Sequence, residues 1–258
     1  MKIVTWNVNS LNVRLPHVLA FLESEQPDVL ALQETKTIDA NFPFEAINAA
    51  GYQVIFAGQK TYNGVAILSR NEAIDPVFDV PDLDDPQRRL LAATVDGVRI
   101  INIYIPNGQA VGSDKFVYKM SWLKAFRQYL QSELAVHPKL VVLGDYNIAP
   151  ADLDIHDPDR WVEKIMCSTP EREWFQSLLE FGLSDAIRQL HPDQAMHSWW
   201  DYRMNAFRRH WGIRIDHLLV SSAMQAVDGG IATSYRALER PSDHAPVWVK
   251  FEDADISQ

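Results

Sequence analysis

At 258 residues, with 47% hydrophobic side chains and 8 tryptophans, the chain is long enough to bury a large core. One cysteine, Cys167, excludes an internal disulfide and makes a reducing cytoplasm the default compartment; no apolar run reaches the length of a membrane span, and MKIVTWNVNS at the N-terminus reads as neither a basic leader nor a signal sequence. The net charge of −10 argues against a polyanionic ligand, except where carboxylates gather at a metal site and a bound dication reverses the local field.

KIVTWNV opens the chain as an apolar run suited to a strand, and Leu15, Val18, Leu19 and Leu22 then follow the i, i+3, i+4, i+7 spacing of a buried helix face. DVLALQE, YQVIFAG and GVAILSR are the next strands. LLAATV and VRIINIYI meet at VDGV, residues 95–98, where Asp-Gly accepts the positive φ angles that a two-residue hairpin demands. Met120, Leu123, Phe126, Leu130 and Leu134 predict a second helix, and KLVVLGD another strand. STPEREWFQSLLEFG reads as a helix started by Ser168 or Thr169 before Pro170 and Glu171 and stopped at Gly182; IDHLLV and APVWVKF complete the strands. No repeat, low-complexity tract or linker divides the chain, so one domain is expected over 1–258, with about 253–258 as a loose tail. Hairpins mixed with helices, rather than strictly alternating with them, favour an α/β (α+β) fold. The expected form is a four-layer sandwich of two mainly antiparallel sheets packed face to face and flanked by helices.

Polar groups able to bind metal or move protons stand at the ends of six of these runs. They are Asn7 and Asn9, Glu34, Tyr104 and Asn107, Asp145 and Asn147, Asp216, and Asp243 with His244. Each alone is an ordinary strand-end residue; together they fit a rim where loops share a pocket. Carboxylates and amides without cysteine favour a hard cation, Mg²⁺ or Mn²⁺, with Glu34 the best direct ligand. Phosphodiester hydrolysis suits such a set. A metal, a histidinium and a phenol neutralise phosphoryl charge, while Asp145 aligns and activates a water and Asp216 partners His244. On these assignments activity follows a bell-shaped pH profile, with Asp145 on the acidic limb and His244 on the alkaline one.

TWNVNSL, LQETK, GVAILS, YIPNG, GDYNIAP, RIDH and PSDHAPV resemble, in order and over nearly the whole chain, the successive motifs of the exonuclease III family of apurinic/apyrimidinic endonucleases within the endonuclease/exonuclease/phosphatase superfamily. The resemblance implies a Mg²⁺-dependent DNA repair nuclease, with Mn²⁺ as substitute, that cuts duplex DNA 5′ to abasic sites and at 3′ ends. It places Asn7, Glu34 and Asp243 at the metal, together with Asp145, Asn147 and His244. It sets Tyr104 against the scissile phosphate, Asp145 and Asn147 at the attacking water, and Asp216 behind His244. HSWWDYR offers Trp199 as a wedge or a sugar-pocket wall, and Arg203 beside it; GQKTYNG and QRR offer Lys60 and Arg88 to backbone phosphates.

One segment departs from the family pattern. Residues 166–172 read MCSTPER where many relatives have GFLPEER, so Met166 and Cys167 bring bulk close to the substrate and shift the balance between abasic-site cutting and 3′-end trimming. Cys167 itself reads as a small buried apolar residue. A same-fold phosphoesterase for another phosphate substrate and a non-catalytic nucleic-acid-binding relative are the alternatives. The second requires losses at Glu34, Asp145, Asn147, Asp216 or His244, and all five are chemically competent. A cytoplasmic monomer, associated with the nucleoid through DNA, is expected.

Overall fold

The computed structural model describes residues 1–252; the expected tail at 253–258 lies outside the described residues. Two six-stranded sheets form the centre of the molecule. The first contains β1 (Lys2–Asn7), β2 (Val29–Gln33), β3 (Gln53–Ala57), β4 (Val65–Ser69), β11 (Ala226–Ile231) and β12 (Val247–Phe251), in the order β11-β12-β1-β2-β4-β3. The second contains β5 (Ile74–Phe78), β6 (Leu90–Val95), β7 (Val98–Tyr104), β8 (Leu140–Asp145), β9 (Ser184–Asp185) and β10 (Asp216–Val220), in the order β5-β6-β7-β8-β10-β9.

Side-chain alternation explains the layering. Ile3, Ala31 and Ile67 from the first sheet pack against Leu91, Ile100, Leu143 and Leu218 from the second, so one face of each strand fills the space between the sheets. The opposite faces carry their own cores. Val4, Trp6, Leu30 and Leu68 meet Val18, Phe21 and Leu22 of α1 (Leu11–Glu25). Leu90, Ile101 and Val142 meet Leu123, Phe126 and Leu130 of α3 (Asp114–Val136), and also Trp174, Phe175 and Leu178 of α5 (Thr169–Leu179). The shorter helices are α2 (Phe44–Ala49), α4 (Pro158–Trp161) and α6 (Ala186–Leu190). The expected sandwich is therefore the observed one.

Local predictions hold for physical reasons visible in the backbone. Asp96 and Gly97 take φ of 50° and 76° in the two-residue turn that pairs Val95 with Val98. Ser168 caps α5, with its main-chain N–H donating to Glu171 Oε2 at 3.1 Å. Three strands lacked a clear signal, and β5, β9 and β11 all lie at sheet edges. An edge strand needs pairing on one side only, so β5 tolerates Pro76 and β11 tolerates Gly229 and Gly230.

Two parallel pairs position the site. β1 runs parallel to β2, pairing Asn7 with Gln33, and β7 runs parallel to β8, pairing Tyr104 with Asp145. The C-terminal ends of all four strands thus emerge at one rim. Antiparallel β10 begins there too, since Asp216 pairs with Asp145, and residues 242–244 enter just before β12.

Behind the rim lies a buried charge network. Arg214, 1% exposed, donates to Asp154 at 2.7 Å and to Asp185 at 2.8 Å. Burial alone would raise the Asp185 carboxyl, but Arg214 and His217 outweigh it and hold it well below the usual range. Arg214→Met leaves Asp154 with Arg188 at 2.6 Å and Asp185 with His217 at 3.7 Å as the remaining counter-charges and should destabilise the fold by about 3 kcal/mol in chemical denaturation. An unchanged midpoint would show that Arg188 and His217 suffice to balance the two aspartates.

Candidate active site

Glu34, Asp145 and His244 offer ligand atoms that all lie within 4.8 Å of one another. Asn7, at the end of β1, ties this group together. Its Nδ2 donates to Glu34 Oε1 at 2.8 Å and to Asp145 Oδ2 at 2.9 Å, while its Oδ1 accepts the Asn9 main-chain N–H at 3.0 Å. Lys36 Nζ lies 2.8 Å from the other Glu34 oxygen. Asn9, Glu34, Asn147 and Met166 all hold left-handed φ, between 43° and 72°, which costs non-glycine residues free energy and is retained where surrounding structure over-determines the backbone.

His244 is 3% exposed, with Nδ1 2.8 Å from Asp216 Oδ2 and Nε2 3.6 Å from Asp145 Oδ2. Asp216 is further fixed by Ser198 Oγ, which donates to Oδ2 at 2.6 Å, while its Oδ1 is buried without a partner. Burial works against a charged imidazole, but the Asp216 and Asp145 carboxylates outweigh it and push His244 up to about 10. Burial also raises Asp145, to about 7; His244 and the Asn7 hydrogen bond pull it down, whereas Asp216 and Glu34 push it further up. Burial, followed by Glu34 and Asp145, holds the Tyr104 phenol well above its ordinary value, so it stays protonated as a donor.

Asn147 completes the inner group. Its N–H donates to Asp145 Oδ1 at 2.9 Å, its Nδ2 donates to the Ile105 carbonyl at 2.9 Å, and its Oδ1 accepts from Asn107 Nδ2 at 2.9 Å. Asp243 stands outside the tight cluster. Its carboxylate accepts from Asn9 Nδ2 and from Trp199 Nε1, each at 3.0 Å. The cavity over these groups measures about 360 Å³ and has one apolar wall, made by Trp161, Met166, Trp199 and Ile215.

The chemistry of this donor set fits a hard dication. Two carboxylates and a histidine converge without a thiolate, and burial, the main cause of the upward shift of Asp145, penalises its ionised form in a way that a bound cation would offset.

The sequence profile of the Endonuclease/Exonuclease/phosphatase family matches residues 4–244. The chain belongs to this family. Exodeoxyribonuclease III of Haemophilus influenzae is 40% identical to it, over 98% of this chain and 100% of that protein. The Neisseria 3′ phosphatase NExo, solved bound to product DNA hairpin, is 54% identical with a TM-score of 0.97, covering 98% of this chain and 99% of that one. An AP endonuclease from Archaeoglobus fulgidus is 35% identical with a TM-score of 0.95, covering 98% and 100%.

In this Endonuclease/Exonuclease/phosphatase family member, the outer residues divide differently from the inner ones. Trp199 is anchored through its indole to Asp243 and lines the cavity. Arg203 lies on the cavity margin, paired with Asp201 at 2.6 Å. Lys60 is exposed, and the Arg88 guanidinium turns toward Asp79. One cleft-lining residue that sequence reasoning did not single out is Arg89. Its guanidinium lies 4.8 Å from the Tyr104 ring centroid and donates to the Tyr104 carbonyl at 3.2 Å. It lines a neighbouring cleft of about 840 Å³ that runs from Gln59 and Tyr62 to Tyr104 and Asn107. Adjacent residues entering a strand point to opposite faces, so the choice within the Arg-Arg pair depends on a register that the bare sequence leaves open. Met166 lines the cavity, as its place in the motif order suggests. Cys167 is 3% exposed and its thiol is pushed by burial to about 12, which leaves it inert.

Proposed function

We propose that the protein, a DNA repair nuclease by the relatives it matches across its length, uses Mg²⁺ to hydrolyse phosphodiesters 5′ to abasic sites and at the 3′ ends of duplex DNA. The observation that carries this reading is the Glu34–Asp145–His244 group, closed from behind by Asp216. Glu34 and Asp145, with Asn7 and Asn147 beside them and Asp243 further out, would hold the dication, which neutralises phosphate charge and lowers the pKa of bound water; Mn²⁺ suits the same donors.

The chain's own residues supply the remaining chemistry. Asp145, raised to about 7, accepts the proton of a water that Asn147 helps to orient, and the water oxygen bonds to phosphorus as the bond to the leaving oxygen breaks. His244, held charged by Asp216, and the protonated Tyr104 donate to the phosphoryl oxygens, where negative charge grows. The apolar wall of Trp161, Met166 and Trp199 receives the sugar beside the scissile bond. Arg89 contacts the DNA backbone along the adjoining cleft and Arg203 at the margin of the catalytic cavity, with Lys60 and Arg88, next in sequence to the cleft-lining Gln59 and Arg89, as further phosphate contacts. The protein acts as a cytoplasmic monomer, at the nucleoid through its DNA substrate; among the described residues no helix is long and apolar enough to cross a membrane.

Product mapping tests this. The protein is incubated with an abasic duplex, a recessed 3′ end, a 3′-phosphate end and a phosphoinositide, each in Mg²⁺ and in excess chelator. Cleavage of the DNA substrates that stops in chelator is expected. Release of phosphate from the phosphoinositide, with the DNA left intact, would overturn the assignment.

A further inference from the structure

Three loops that wall the catalytic cavity, 105–109, 145–149 and 166–168, meet at one buried ion pair to which the proposed chemistry assigns no role. Lys119 of α3 and Glu171 of α5 are each 0% exposed and are paired through Glu171 Oε1. The lysine also donates to the Asn147 carbonyl at 2.8 Å and to the Asn107 carbonyl at 3.3 Å. The glutamate accepts the Met166 N–H at 3.0 Å, the Ser168 N–H at 3.1 Å and the Ser168 hydroxyl at 2.6 Å. The loop closes directly over the lysine stem. A Cβ placed on Gly108, whose φ is +87°, would lie 3.0 Å from Lys119 Cδ.

An ion pair this deep is a poor source of net stability, because desolvation of both groups offsets their attraction. Its hydrogen bonds, however, go to the main chain at the cavity wall. Two of the residues so held, Asn147 and Met166, have left-handed φ of 49° and 72° and need such restraint. Asn147 passes the restraint on, since its N–H fixes Asp145 Oδ1.

We infer that Lys119 and Glu171 are positioning residues for the hydrolytic step, setting the Asn147 peptide, and through it Asp145, against the Met166 wall. This rests on the roles proposed above for Asp145 and Asn147. Neither charged group reaches the substrate, so the pair acts on kcat and leaves substrate binding nearly unchanged.

The test is steady-state cleavage of a recessed 3′ end in Mg²⁺ by the full chain and by Lys119→Met/Glu171→Leu, which removes both charges at similar volume, with folding checked by circular dichroism. A fall in kcat of about a hundredfold, as for an ångström-scale misplacement, is expected, with KM changed by no more than about threefold. A folded double variant with kcat within about twofold of wild type would show the pair to be structural only and overturn the proposal. If that variant does not fold, Lys119→Met/Glu171→Gln retains an acceptor toward the Met166 and Ser168 N–H groups and is judged by the same kcat criterion. A double-mutant cycle adds a readout that stability alone would not move. In an Asp145→Ala background, which removes the carboxylate that the Asn147 N–H fixes, the Lys119 substitution should cost less than about twofold further, and losses that multiply independently would contradict action through Asn147 on Asp145. An inactive wild type would overturn the underlying reading of the site instead.

Discussion

Asp145→Asn should lower kcat by about 10²–10⁴-fold while making the metal-free protein more stable. The loss follows from removing the group proposed to accept the proton of the attacking water. The gain follows from linkage. In the folded protein Asp145 titrates at about 7 rather than the ordinary 3.8, so as pH rises between these values the unfolded chain releases its proton while the folded one keeps it. Stability therefore falls through that window, and above it the ionised carboxylate costs the fold on the order of a few kcal/mol. Asparagine keeps the shape and avoids that cost. Thermal melts in chelator at pH 8 should place the variant above wild type, and the difference should vanish near pH 4. A variant that melts lower than wild type at pH 8 would show that Asp145 is not held against its charge.

His244→Ala should remove activity on a similar scale, about 10²–10⁴-fold, and here stability falls with it. The sign is opposite because the folded pKa is raised for a base. The stabilisation given by charged His244 is complete below its ordinary 6.5 and is lost as pH rises through about 10. Its removal leaves Asp216 fully buried, with one oxygen unpartnered and only Ser198 on the other, and deprives Asp145 of the positive charge that opposes its burial. The wild-type rate profile should rise along an acidic limb at or below about 7 and fall along an alkaline limb at or below about 10, both moved down by a bound dication. In the alanine variant the residual rate should lose the alkaline limb. An alkaline limb that persists unchanged would assign it to another group.

The inner site was legible because its residues end strands whose hydrophobic runs are unambiguous. Asn7, Glu34, Tyr104 and Asp145 each follow a run buried within a sheet, and parallel pairing of those runs delivers the polar ends to one rim. The hidden parts depend on register and on contacts distant in sequence. Lys119 sits within a helix that the sequence marks only by its apolar face, and only the packing of α3 against α5 and the 145–149 loop buries it. Ser198 precedes a Trp-Trp pair and carries no motif of its own, yet it fixes Asp216. Gln33 and Asn102 read as strand residues, but Gln33 Nε2 donates to Asn102 Oδ1 at 2.7 Å and so joins the two sheets directly beneath Glu34 and Tyr104. The edge strands β5, β9 and β11 escaped notice because one-sided pairing asks little of their sequence.

Manganese binding followed by electron paramagnetic resonance addresses the proposed cation site most directly, since it needs neither substrate nor turnover. At pH 8 the wild-type chain should take up Mn²⁺ saturably, and Glu34→Gln should weaken uptake by about tenfold or more while retaining the wild-type circular dichroism spectrum. Equal affinity in the two proteins would mean that the Glu34–Asp145 rim is not where the dication is held.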